Sequence, residues 1–156
     1  MNSRRWLRVG LAFLALVQAG VGGWALLAPR SFFAIPWVGM GMAYNSHLMA
    51  DYGAMSLATS VALATAAVVL RRDMVRMALA VYLTFAVPHL VIHIRLLHHL
   101  APSQRTPLLL ALTIAVVLPA ALLALATPRP PAERGGPAPG DAEVAEHRTG
   151  SDRRGG

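Results

Sequence analysis

The feature that most constrains the fold is a set of four long apolar stretches in a chain of 156 residues. Each stretch has roughly 20 residues or slightly more, which is the length a helix needs to cross the hydrocarbon core of a bilayer. Hydrophobic residues make up 56% of the chain and charged residues 13%, which disfavours both a soluble globular domain and a disordered chain. The sequence therefore predicts an all-α integral membrane protein with helices at about 9–28, 47–70, 74–97 and 107–126.

Residues near the ends of these stretches indicate where the helices begin. Asn45 or the residue after it can cap the second helix and Asp73 the third, while Pro107 suits the first position of the fourth. Pro88 and Pro119 fall inside the third and fourth helices. They predict kinks rather than breaks, because neighbouring helices in a membrane can satisfy the freed carbonyls.

The last segment, 127–156, differs from the rest of the chain. It is rich in Pro, Gly, Ala and charge and has no apolar periodicity, which predicts a disordered tail behind a four-helix antiparallel bundle of residues 1–126. The tail has equal numbers of basic and acidic residues, so the net charge of +7 belongs to the bundle. Arginines interrupt apolar runs there instead of forming a solvated basic face, which argues against a nucleic-acid partner. The chain has no cysteine, which excludes thiolate metal sites and a Cys nucleophile.

The arginines of the bundle predict its orientation in the plasma membrane. Six lie before the first helix or around the second connection and three lie on the opposite side: Arg4, Arg5, Arg8, Arg71, Arg72 and Arg76 against Arg30, Arg95 and Arg105. Both termini are therefore expected to be cytoplasmic. The N-terminal arginine pair also partly resembles a twin-arginine export signal, but the apolar run is long for a signal peptide and predicts a retained helix. A composition rich in Ala and Arg without lysine suggests a bacterial genome of high GC content.

Polar side chains inside membrane helices are costly and mark functional or structural sites. His47 and Asp51 lie at the start of the second helix, and His89 and His93 lie at the end of the third. Each pair has the four-residue spacing that places both side chains on one helix face. The antiparallel order brings both pairs to the extracytoplasmic side, so we expect the four side chains to converge. The predicted supporting residues for binding a substrate are Asn45, Tyr52, Tyr82 and Arg95.

Four interpretations of this constellation stay open. In the first, Asp51 is a general acid or base with a His partner in an isomerase, cyclase or hydratase that acts on an apolar, lipid-like molecule without a cofactor. In the second, His47, Asp51, His89 and His93 bind a divalent transition metal. The third is a haem held by histidines of two helices. In the fourth, the cluster only joins helices in a non-catalytic subunit that docks to a larger membrane complex.

The connection between the first two helices, 29–44, is too apolar for an ordinary solvated loop. It predicts either an interfacial lid over the outer face or an aromatic belt at the membrane surface. Two patterns in and around this connection resemble small four-helix bacterial membrane proteins of the DoxX-like kind. They are Gly-Gly-Trp-Ala-Leu-Leu-Ala-Pro-Arg-Ser-Phe-Phe at 22–33 and Tyr-Asn-Ser-His-Leu-Met-Ala-Asp-Tyr-Gly-Ala at 44–54. The resemblance covers residues 1–126 and implies a first helix, a proline-containing loop and three more helices. Some proteins of this kind are linked to quinone-coupled redox complexes, and the resemblance assigns no catalytic residue.

Overall fold

Helices make up almost all of the structure, a computed structural model that describes residues 2–127. Six α-helices follow one another, with a 3-10 turn after the fifth. They are α1 (Asn2–Leu27), α2 (Pro29–Phe33), α3 (Pro36–Gly39), α4 (Ser46–Val69), α5 (Arg72–Leu96), the turn Leu97–His99, and α6 (Pro102–Ala126). The described part contains no strand, which confirms the all-α prediction with four long helices. Of the predicted disordered tail, 127–156, only Thr127 belongs to the described residues, and the remainder lies outside them.

α1 and α6 begin well before the predicted apolar stretches. α1 begins at Asn2, and not near residue 9, because arginine is a good helix former and ends the apolar run without ending the helix. α6 begins at Pro102, so Pro107 lies in its second turn and not at its first position, which corrects the predicted start. α5 and α6 continue unbroken through Pro88 and Pro119, as predicted.

The caps of α4 and α5 show one correct prediction and one wrong one. Asn45 is the N-cap of α4, and its side-chain oxygen accepts a hydrogen bond from the backbone N–H of Leu48 at 3.1 Å. Asp73 does not cap α5, because Arg71 occupies the N-cap position. Asp73 instead lies in the first turn, where a carboxylate interacts well with the helix dipole, and it pairs with Arg71 at 2.7 Å.

α1 and α4 form the closest pair in the bundle. They meet at two glycines, where a Cβ atom added to Gly22 would lie 2.8 Å from the carbonyl oxygen of Gly53. A Cβ atom added to Gly53 would lie 3.0 Å from the carbonyl oxygen of Gly22. Small residues of this kind let membrane helices approach until their backbones touch.

α5 and α6 form the second closely packed pair, and both pairs contribute to the main core. Fully buried side chains from all four long helices fill this core, among them Leu11, Leu63, Leu79 and Leu122. A smaller cluster of Met40, Leu100 and Leu108 ties the end of α3 to the start of α6. The connection 29–44 therefore reaches from one helix pair to the other at this end of the bundle.

The outward faces of the bundle are apolar. Large aliphatic side chains are exposed along every long helix, such as Leu16 at 72%, Val68 at 76%, Met77 at 67% and Leu110 at 60%. A water-soluble monomer does not expose apolar surface on this scale. All four long helices are long and apolar enough to cross a bilayer, over Ser3–Leu27, Ser46–Val69, Arg72–His99 and Pro102–Ala126. The chain is a small multi-pass membrane protein.

Candidate functional site

The first polar pair lies on an exposed face at the start of α4. His47 Nε2 lies 3.3 Å from Asp51 Oδ2, so the predicted four-residue pairing is present. The two side chains are 86% and 63% exposed. They point away from the bundle core, and Asn45 beside them serves as the helix cap.

The second polar pair lies on a partly buried face of α5. The rings of His89 and His93 are 4.5 Å apart in an edge-to-face arrangement, which agrees with their spacing of one helical turn. Phe85, one turn earlier, stacks on His89 with 4.9 Å between ring centroids. These three rings therefore form a continuous stripe along α5.

Tyr52 joins this stripe to α4. Its ring lies 6.0 Å from Phe85 and 6.4 Å from His89, measured between centroids. Phe32 of α2 stacks on the other side of Tyr52 at 5.9 Å. We call Phe32, Tyr52, Phe85, His89 and His93 the ring cluster. It brings side chains from α2, α4 and α5 together at one end of the bundle.

The predicted set of four ligands is not assembled. Within residues 2–127, no three His, Cys, Asp or Glu side chains lie close enough together to hold a metal ion. His47 with Asp51 and His89 with His93 form two separate pairs. At this end of α4 the ring of Tyr52, and not the side chain of Asp51, meets Phe85 and His89 of α5, because one step along a helix rotates a side chain by about 100°.

The remaining predicted residues have other places in the fold. Tyr82 is 4% exposed and belongs to the main core. Arg95 is exposed near the end of α5, and its backbone carbonyl accepts from His98 Nδ1 at 3.1 Å. His98 and His99 lie 3.9 Å apart on the surface, away from the ring cluster.

The connection 29–44 packs over the ring cluster instead of extending into solvent. Phe32 is buried, and Trp24 at the end of α1 meets its ring at 5.7 Å. The indole N–H of Trp24 donates to the hydroxyl of Ser31 at 2.8 Å, which holds α2 against α1. Arg30 stacks over Tyr44 at 5.1 Å. In the structure the connection that the sequence interprets as a lid or an aromatic belt forms the short helices α2 and α3.

One buried polar atom of the ring cluster has no hydrogen-bond partner. Among the described residues, His93 Nδ1 is the buried side-chain nitrogen or oxygen atom without a hydrogen bond. Such atoms cost free energy unless something satisfies them, and they occur at sites that bind or react. An imidazole offers one donor and one acceptor nitrogen, and rings around it supply apolar contacts for a flat or branched molecule.

Sequence reasoning missed two members of the ring cluster. Phe85 has the same spacing from His89 as His93 has, but an apolar residue in an apolar helix carried no signal. Phe32 lies in the connection 29–44, and its contact with Tyr52 of α4 depends on how that connection folds back.

Comparisons of the chain with protein-family models, with curated proteins and with solved structures find no match. The resemblance to DoxX-like proteins therefore stays a prediction, and the functional argument depends on the geometry of the site.

Proposed function

We propose that the protein binds an apolar, membrane-borne small molecule at the ring cluster and moves a proton on it. The observation that carries this proposal is the unpartnered, buried His93 Nδ1 next to the rings of His89 and Tyr52. A molecule with one polar group among apolar atoms would satisfy this nitrogen and contact the rings.

The chemistry that fits these residues best is isomerisation. One imidazole accepts a proton from an activated C–H or O–H of the bound molecule, and the same or the neighbouring imidazole returns a proton at another atom. No atom is gained or lost overall, so the step needs no cofactor. The outer end of the bundle, with α2 and α3 over the cluster, would exclude water from the reacting group.

The test is a deuterium-exchange experiment on molecules that co-purify with the protein. Apolar compounds bound to the full-length protein are identified by mass spectrometry, and the loaded protein is then incubated in D₂O. We expect deuterium at a carbon of the bound compound with the wild type and with His99→Ala, the matched control outside the cluster. His93→Ala is expected to lose both the compound and the exchange. A compound that binds equally to His93→Ala would contradict the proposal.

A second function is favoured by the exposed His47–Asp51 pair. A charged or strongly polar pair on the lipid-facing side of a membrane helix costs free energy unless it lies at the membrane–water interface or contacts a partner protein. The pair therefore suits a subunit that docks to a larger membrane complex through α4. Native gel electrophoresis of solubilised membranes tests this, because Asp51→Asn with His47→Ala should release the protein from a larger complex. An unchanged migration of the double variant argues against docking at this face.

The proposed orientation has both termini in the cytoplasm of a bacterial cell and the ring cluster on the extracytoplasmic side. It is supported by the arginine distribution of six against three, because the described start of α1 and the α4–α5 connection lie at the same end. The cysteine-free chain makes the test simple. In whole cells, an impermeant maleimide should label Ser103→Cys at the start of α6 and leave Ser3→Cys unlabelled. The reverse pattern would invert the orientation.

A further inference from the structure

The end of the bundle opposite the ring cluster contains a basic cleft. It has a volume of about 550 Å³ and is lined by Arg4, Arg5, Arg8, Val9 and Leu70. A smaller cleft of about 290 Å³ adjoins it and shares Arg4 and Leu70. The rest of its lining combines the apolar residues Leu7, Leu125 and Ala126 with the polar residues Ser3 and Arg72. Both clefts thus combine guanidinium groups with aliphatic walls where α1, α6 and the α4–α5 connection meet.

The arginines of this basic cleft differ in the hydrogen-bond partners that they have within the protein. Arg8 Nε donates to the carbonyl oxygen of Ala67 at 3.3 Å, which satisfies one of the free carbonyls in the last turn of α4. Asp73 is the acidic residue at this end of the described chain, and Arg71 holds it through two hydrogen bonds of 2.7 and 3.3 Å. Within residues 2–127, no carboxylate is therefore left for Arg4 and Arg5.

An anion in the basic cleft would relieve the repulsion between these neighbouring positive charges. The guanidinium fork matches the geometry of phosphate oxygens and binds them through charge-assisted hydrogen bonds. The aliphatic side chains of Val9 and Leu70 border the same space, so a ligand with an apolar part next to its phosphate contacts the whole lining. Basic pockets between transmembrane helices are suited to anionic lipid headgroups.

We propose that the basic cleft is a binding site for an anionic phospholipid, with Arg4 and Arg5 on the headgroup phosphate and an acyl chain along Val9 and Leu70. A free phosphate ion shares the phosphate chemistry but would leave the aliphatic walls uncovered. This site is independent of the proposed function, because it lies at the other end of the bundle and shares no residue with the ring cluster.

The test is a lipid titration of the full-length protein in detergent, followed by native mass spectrometry. The probes are phosphatidylglycerol, phosphatidylcholine and inorganic phosphate. We expect phosphatidylglycerol to bind more tightly than phosphatidylcholine, and inorganic phosphate to compete only weakly. Each arginine near an anionic lipid contributes about fivefold in affinity, so Arg4→Gln with Arg5→Gln should weaken phosphatidylglycerol binding about 25-fold.

Arg76→Gln is the matched control, because Arg76 is exposed at the same end and does not line the basic cleft. It should change the affinity less than twofold, and unfolding midpoints of all variants should agree with that of the wild type. Four results would overturn the proposal. They are equal binding of the two lipids, equal losses in the double variant and in the control, full competition by inorganic phosphate, and lipid binding that appears only after the acidic residues of 128–156 are neutralised.

Discussion

The contact between α1 and α4 at Gly22 gives the sharpest prediction for stability. A methyl group added at Gly22 would lie 2.8 Å from the carbonyl oxygen of Gly53 and 2.9 Å from the backbone nitrogen of Leu57. Both atoms belong to the backbone of a long helix, so they cannot rotate away as a side chain would. The helices must separate by roughly half an ångström to reach an ordinary contact distance, and overpacking of this kind costs about 1–3 kcal/mol.

Two neighbouring glycines provide matched controls for this perturbation. A Cβ atom on Gly20 or Gly23 would meet nothing within 4 Å. Gly20→Ala and Gly23→Ala therefore add no clash and gain helix propensity, which raises the free energy of unfolding by up to about 1 kcal/mol. Gly22→Ala gains the same propensity, so the comparison with its neighbours isolates the cost of separating the helices.

The assay is unfolding of the purified protein in mixed micelles of mild detergent and SDS, followed by circular dichroism. We expect Gly22→Ala to unfold at a lower SDS fraction than the wild type, and the two control variants to unfold at an equal or higher fraction. Gly22→Ala should also reduce occupancy of the ring cluster, because it displaces the segment of α4 that carries Tyr52. A Gly22→Ala protein as stable as Gly23→Ala would refute the close approach of α1 and α4.

Three further substitutions test individual contacts with the same unfolding assay. Asn45→Ala removes the N-cap hydrogen bond of α4 and should lower the free energy of unfolding by about 1 kcal/mol, whereas Asn45→Asp should retain it. Arg8→Gln removes the hydrogen bond to the Ala67 carbonyl and should cost about 1 kcal/mol, an effect that high salt does not abolish if the hydrogen bond is responsible. Phe85→Ala removes the ring that contacts both Tyr52 and His89 and should cost about 2 kcal/mol, whereas Val87→Ala on an exposed position should stay within about 0.5 kcal/mol of the wild type.

The parts of the fold that depend on local sequence were predictable. The length of an apolar run sets the length of a membrane-spanning segment, and an Asn before such a run caps its helix, as Asn45 does. The predicted positions of helix starts were less accurate where the helix begins with charged residues. Arg4 and Arg5 lie outside the apolar run of α1 but belong to the helix. The predicted cap at Asp73 is wrong for a related reason, since a carboxylate is favourable both before the first turn and within it.

Spacing alone does not predict whether the two polar pairs converge, because it fixes neighbours on one helix but not the rotation of that helix against another. The buried Gly53 faces α1. Asp51 is two residues away and thus rotated by about 200°, so it points away from that contact. Tyr52 is rotated by about 100° and meets Phe85 and His89 of α5.

The same geometry explains why the candidate site lies between α4 and α5. Glycines bring α1 and α4 into backbone contact, whereas Tyr52, Phe85 and His89 occupy the space between α4 and α5 with rings. The separation of two helices follows the size of the side chains at their contact, so the rings favour a wider separation of α4 and α5 than the glycines favour between α1 and α4. The unpartnered nitrogen of His93 lies at the end of this ring stripe. Replacing the rings with small residues should therefore let α4 and α5 approach each other and remove the site, while the glycine contact between α1 and α4 stays intact.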